Sequence, residues 1–317
     1  KKYKKIKNFF NCKNPRDIMA EFFYIIANLY SAEKNYLLSN FYLKISLFLN
    51  KKFESNQNLL AENYFYQENY DSAKKIYFSL KKIGNFFSWH AIKYISYIIS
   101  LTEGEEKAVD YLKEEVKKIP NLNYYNYYDL ANSFKSNNDL EEAIKYYTEA
   151  LEKLEVNHYL IPIILDKRGT SYERLGMWNE AEKDLKQSLK LSPDQPYVLN
   201  YLAYSWLDKK KNINKSLEML KKAYELKQSD GYITDSLGWG FYLIDEYSES
   251  EKFLRKAVEL MPFDPVISDH YGDVLWKLNK TIQARYFWKH AISFEKEDKE
   301  FIETVNQKLI FGLEDKS

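Results

Sequence analysis

The chain has 317 residues, with 47 Lys and Arg against 46 Asp and Glu and a formal net charge of +1. By net charge it carries no long-range pull toward nucleic acid or an anionic membrane. One cysteine, Cys12, rules out an internal disulfide and leaves the redox compartment unreadable, and no run of 18 apolar residues offers a membrane span. Gly (9) and Pro (7) are scarce, which suits a mostly helical chain with short turns, while 29 tyrosines inform only through their placement.

Residues 1–19 form a basic lead-in. KKYKKIKNFFNCK has the charge of a signal n-region but not the apolar run that should come after it, and Cys12 comes after Phe9, Phe10 and Asn11 rather than small apolar residues. A start on Lys1 rather than Met suggests the continuation of a longer precursor. From Ala20 to about residue 298 the chain repeats. Units of about 34 residues start near Ala20, Glu54, Trp89, Tyr124, Pro162, Pro196, Gly231 and Pro265. Position 8 of each unit is Ala27, Ala61, Ser96, Ala131, Gly169, Ala203, Gly238 and Gly272. Position 20 is Ser39, Ala73, Ala108, Ala143, Ala181, Ser216, Ser250 and Ala284, once a one-residue slip is allowed inside the sixth unit. A fixed period of this size predicts a solenoid in place of globular domains.

Each unit reads as helix, tight turn, helix. In the fifth, Leu165, Gly169 and Tyr172 share one helical face, Gly176 stops that helix, and Trp178, Ala181, Leu185 and Ser188 make a second face ended by Pro193. Position 11 (Tyr30, Tyr64, Ile99, Phe134, Tyr172, Trp206, Phe241, Leu275) and position 24 (Leu43, Tyr77, Leu112, Tyr147, Leu185, Leu220, Leu254, Trp288) supply bulk beside the small columns. Pro120, Pro193 and Pro262 recur at position 32. Residues 299–317 read as a capping helix and tail, with Phe301, Ile302, Val305 and Leu309 facing the array, Glu300, Glu303, Gln307 and Lys308 opposite, and Gly312 at the end.

These columns resemble the tetratricopeptide repeat (TPR), most closely over Pro162–Asp298. Tryptophan at position 4 is absent, and position 27 reads Ser46, Leu80 and Glu115 in the first three units. The resemblance implies an all-α fold, a right-handed α-solenoid of about eight helix-turn-helix units with a C-terminal capping helix. It also implies a concave groove lined by the first helices, with positions 2, 5, 6, 9, 12 and 13 facing it. In units six to eight the packing columns leave Tyr197, Asn200, Tyr201, Tyr204, Tyr232, Asp235, Trp239, Tyr242, Asp269, His270, Asp273 and Trp276 at groove positions. Aromatics beside Asn and Asp suit a protein-binding surface, and a position-5 ladder of Asn200, Asp235 and Asp269 suits a peptide's N–H groups or a basic side chain. The competing expectation is that neighbouring units bury these rings. Tyr94, Tyr97, Tyr125 and Tyr128 form a less ordered set in units three and four, interrupted by Lys93 and Lys135.

DGYITDSLGWGFY and DPVISDHYGDVLWKLNKTIQARYFWKHA resemble the last repeats of proteobacterial TPR adaptor proteins, some of them outer-membrane lipoproteins and one a docking factor for a periplasmic processing protease. The resemblance implies a protein or peptide partner, such as a protease or envelope-assembly component. It favours a periplasmic or outer-membrane-associated address over a cytoplasmic one. The paired-carboxylate clamp of chaperone-docking TPRs is missing, since Tyr197, Asn200, Tyr201 and Tyr204 stand where it needs Lys, Asn and Arg. No His pair or Cys–His cluster suggests a metal, no Gly-rich phosphate loop precedes a helix, and no catalytic set or cofactor is expected. Five acidic against five basic groove residues disfavour a helical-repeat RNA reader. The expectation is a non-catalytic scaffold or adaptor. The alternative is a structural assembly factor that uses other surfaces and fills its groove with its own chain or a second copy.

Overall fold

The computed structural model describes residues 13–83, 85–119 and 121–313. Cys12 and Pro120 lie outside them. Seventeen α-helices and no strand occur among the described residues. They form two compact units, residues 1–153 and 154–317. In the first, the pairs are α1 (Pro15–Ala32) with α2 (Tyr36–Leu49), α3 (Glu54–Tyr66) with α4 (Tyr70–Leu80), α5 (Asn85–Glu103) with α6 (Glu105–Val116), and α7 (Tyr124–Ser136) with α8 (Leu140–Glu152). In the second they are α9 (Leu160–Arg174) with α10 (Trp178–Leu191), α11 (Pro196–Asp208) with α12 (Ile213–Leu226), α13 (Gly231–Tyr242) with α14 (Tyr247–Leu260), and α15 (Pro265–Lys277) with α16 (Thr281–Phe294). A last helix, α17 (Lys299–Phe311), closes the chain. The eight expected repeats are these eight pairs. The one 38-residue step holds the 153–159 connector, where the two units divide.

The small columns sit between paired helices, and every residue at positions 8 and 20 is buried. Position 8 faces position 24 of the same repeat. A Cβ on Gly238 would lie 2.7 Å from Leu254 Cγ, and one on Gly272 would overlap the Trp288 ring. Real contacts never come that close, so the bulk at position 24 sets the smallness at position 8. In the first repeat serine adds a bond to its small size. Ser39 Oγ donates to the Ala27 carbonyl (2.8 Å) and Ser46 Oγ to the Ala20 carbonyl (2.6 Å). Ser46, which departs from the family's Ala at position 27, thus fastens α2 to the start of α1.

The turns share a geometry that composition hides. Position 15 has positive φ in seven repeats: Lys34, Glu68, Asn138, Gly176, Lys210, Asp245 and Asn279. The left-handed residue ends the first helix and reverses the chain. Only Gly176 is a glycine there, and a search for Gly or Asn passes over Lys34, Glu68, Lys210 and Asp245. In the sixth repeat the turn holds one residue more, and Asn212 is left-handed as well (φ 48°). This is the one-residue slip, absorbed outside both helices.

The capping helix packs as expected through Phe301, Val305 and Leu309 against the core around Trp288, Leu275 and Ala284. Lys308 departs from expectation. It does not join the solvent side but turns inward. Its position three residues after Val305 puts it on the flank of the apolar stripe, close enough for its long stem to reach over the edge.

Candidate partner-binding face

In the second unit α11, α13 and α15 stand side by side. Their starts are fixed locally. Pro196 and Pro265 open α11 and α15, Asp230 Oδ1 accepts from Ile233 N (3.1 Å), and Asp264 Oδ1 accepts from Ile267 N (3.0 Å). The two capping aspartates also bind tyrosines of the preceding repeat. Tyr197 donates its hydroxyl to Asp230 Oδ2 at 3.1 Å, while Lys227 donates to the Tyr197 oxygen and lies over its ring. The Asp264 carboxylate holds the Tyr232 phenol above its ordinary pKa. Both rings remain more than half exposed, at 56% and 57%.

On α11, Tyr197, Asn200, Tyr201 and Tyr204 share one face at spacings of three and four. Tyr201 donates to Glu173 Oε2 (2.6 Å), and burial, then that bond, raises its pKa. Tyr204 is half-buried, and burial followed by the charges of Asp235 and Asp208 raises its pKa. Asn200 is different. Its side-chain oxygen is buried and accepts no hydrogen bond. An unmet buried acceptor costs free energy unless a ligand meets it.

On α13 and α15 the corresponding residues are already engaged. His270 Nδ1 stands 3.0 Å from both Asp235 oxygens. Trp239 stacks on the imidazole (centroids 4.0 Å apart), and Tyr242 stacks on Trp239 at 4.5 Å. Burial works against a charged His270, but Asp235, with Asp269 and Asp273 behind it, outweighs this and raises its pKa. Lys308 of α17 reaches Asp269 (2.7 Å) and Asp273 (2.9 Å) together, and Trp288 Nε1 donates to Asp273 Oδ1 at 2.8 Å. Burial, with the Asp269 charge beside it, pushes Asp273 up to about 6. Burial opposes the Lys308 charge, but the two carboxylates hold its pKa high.

Trp276 has packing work that its repeat position does not reveal. Arg285 lies over its ring at 4.8 Å, and a Cβ on Gly312 would overlap that ring. The position-5 ladder is therefore split. Asn200 is unmet, Asp235 serves His270, and Asp269 serves Lys308. Sequence reasoning missed Lys308, Trp288 Nε1 and the seat of Trp276 under Gly312, since all three depend on where α17 lands. Asp269 and Asp273 converge on the ammonium while His270 turns to Asp235. Among the described residues no group of three His, Cys, Asp or Glu is placed to hold a metal.

The first unit has its own recess, a cavity of about 500 Å³ by α5 and α7. Trp89 Nε1 and Lys93 Nζ both donate to Asp129 Oδ2 at 2.9 Å on its wall, with His90, Tyr125 and Asn126 around it. The recess falls within the less ordered tyrosine set of repeats three and four.

A family model described as "Tetratricopeptide repeat" matches residues 124–152. The chain is 29% identical over 126 residues to the TPR repeat-containing protein PA4667 of Pseudomonas aeruginosa, covering 37% of this chain and 20% of that one. It is 32% identical over 81 residues to the lipoprotein NlpI homolog of Haemophilus influenzae, covering 26% of each. The chain thus spans about a fifth to a quarter of the length of these curated relatives. The solved structure titled APC/C hetero-tetramer Cut9-Hcn1 matches 93% of this chain and 57% of its own with TM-score 0.58 at 14% identity, a likeness of fold alone. The eight helix pairs, their small columns and these matches define an all-α helical-repeat fold of the tetratricopeptide type. Residues 124–152 are a tetratricopeptide repeat by this match, and the other helix pairs share its architecture.

Proposed function

We propose that this protein is a non-catalytic scaffold that binds an extended segment of a partner protein on the face of α11 and α13. The observation that carries this is Asn200, a buried acceptor without a donor on the helix that also presents Tyr197, Tyr201 and Tyr204. A partner's backbone N–H supplies the missing donor, and the rings supply contact area at small cost in rotamer freedom. Tyr204 and Trp239 are the proposed anchors, with Tyr232 and Tyr242 beside them. Similarity to a lipoprotein homolog supports an envelope-associated partner, such as a protease or assembly component.

The second reading, a groove filled by the protein's own chain, has support at the eighth repeat. Lys308 already occupies Asp269 and Asp273 there. The proposed segment therefore ends at the His270–Trp239 stack, and Asp269, Asp273 and Trp276 are positioned for the cap rather than the partner. The test is affinity capture with wild type and with Tyr204→Ala/Trp239→Ala, followed by calorimetry on the captured protein. Each anchor lost should cost about 2 kcal/mol of binding. Unchanged affinity in a double variant whose circular dichroism is intact would overturn the reading.

A further inference from the structure

The first repeat differs from repeats two to seven on the outer side of its second helix, and the eighth shares part of its pattern through exposed Ile282 and Tyr286. Leu37, Phe41, Lys44 and Phe48 form one stripe on α2, opposite the Ser39 and Ser46 side that is bonded to α1. Leu37 is 78%, Phe41 58% and Phe48 80% exposed. The same positions carry charge or polarity in repeats two to seven, apart from Phe78. They read Glu106, Asp110, Lys113 and Lys117 in the third and Asn179, Lys183, Lys186 and Lys190 in the fifth. Adjoining repeats leave these positions largely to water, so a further repeat does not account for the apolar stripe.

The neighbouring side of the same helix pair is apolar as well. Phe22 and Leu29 of α1 are 54% and 65% exposed. Charge is concentrated here too. The described residues 13–53 contain six Lys and Arg against three Asp and Glu, whereas residues 54–317 contain 36 against 43. A near-neutral protein is thus a basic end joined to an acidic remainder. Lys34, Lys44, Lys51 and Lys52 are exposed at the ends and middle of the α2 stripe.

We infer that the α1–α2 pair is a docking surface for an anionic lipid membrane, with Leu37, Phe41 and Phe48 entering the headgroup–acyl boundary and the lysines meeting lipid phosphates. Bulky apolar side chains set among lysines gain on both counts at such an interface, through burial and through attraction to the surface charge. A protein partner would use the apolar stripe, but an anionic surface also uses the concentrated positive charge. Docking of this kind needs no spanning segment, and no helix among the described residues is long and apolar enough to cross a membrane.

The test is flotation of the full chain with phosphatidylcholine vesicles, with and without phosphatidylglycerol, beside sedimentation velocity of the same samples. Wild type should float with the phosphatidylglycerol vesicles only, and less as salt rises. Phe41→Asp/Phe48→Asp should reduce the partition coefficient roughly tenfold to a hundredfold, since two rings no longer leave water. Lys51→Glu/Lys52→Glu should reduce it less. Both pairs are exposed, so an unchanged melting curve is expected and separates lost docking from lost fold. Failure to float with phosphatidylglycerol vesicles, or equal flotation of the Phe variant, would overturn the inference. Self-association of wild type that the Phe variant abolishes would do the same, by assigning the stripe to a second copy.

Discussion

Helices α11 and α15 present the same repeat positions with opposite outcomes. On α11, positions 5, 6 and 9 are Asn200, Tyr201 and Tyr204; Tyr201 bonds Glu173, the Asp235 charge acts on Tyr204, and the Asn200 side-chain oxygen meets no donor. On α15 they are Asp269, His270 and Asp273, closed over by Lys308 from α17 and by the Trp239 stack. The repeat register says which way a residue points. Whether that residue is available depends on where later helices of the chain pack. An array that must cap its last apolar face spends its last groove on the cap.

The largest effect that separates the two helices is expected from Lys308→Met. It removes the ammonium and leaves two mostly buried carboxylates facing each other, which should cost about 3–5 kcal/mol. Thermal unfolding should show the loss, and hydrogen exchange should place it in α15–α17. A wild-type melting curve would mean the pair is not closed in solution.

Gly238→Leu tests the register on which the comparison rests. The new side chain must enter where even a Cβ lies 3.0 Å from the Leu254 backbone nitrogen. A destabilisation of roughly 3 kcal/mol or more is expected by denaturant titration. If stability is kept, position 8 is not the contact described.

Asn200→Leu sharpens the open side. Removing an unmet buried acceptor should raise stability by about 1 kcal/mol while weakening partner binding. A fall in melting temperature would show that water or protein already satisfies the amide.

The smallest effect is the pH response of the closed side. His270 and Asp273 both have raised folded-state pKa values, so the folded state takes up protons more readily than the unfolded chain. The stability that His270 contributes is complete below about 6.5 and is lost as pH rises through its folded value. The cost of burying a charged Asp273 is present above about 6 and relieved below it. Both make α15–α17 more stable near pH 5.5 than at pH 8, by roughly 1 kcal/mol. Asp273→Asn should flatten this slope in melting curves taken across that range. A slope of opposite sign would contradict the charge assignment.

The fold was legible because close packing forces a period on the sequence. Ala27, Gly238 and Ala284 could be placed between helices from their smallness and spacing alone. The left-handed turns at Lys34 and Glu68 were not legible, because those residue types do not announce positive φ. The candidate site was half legible. Groove positions came from register, but the packing of Trp276 against Gly312 joins residues 36 apart, and no local pattern encodes that contact.

The sequence by itself determined the repeat, its helix pairs, the slip in the sixth turn and the existence of a capping helix. Each comes from spacing, which a helix converts directly into direction. Tertiary structure decided the rest: that Lys308 turns inward, that Asp235 and Asp269 are engaged, and that the Asn200 side-chain oxygen is not. The pairing of buried charges depends on distances of a few ångströms between separate helices, and residue order along one helix does not carry that information.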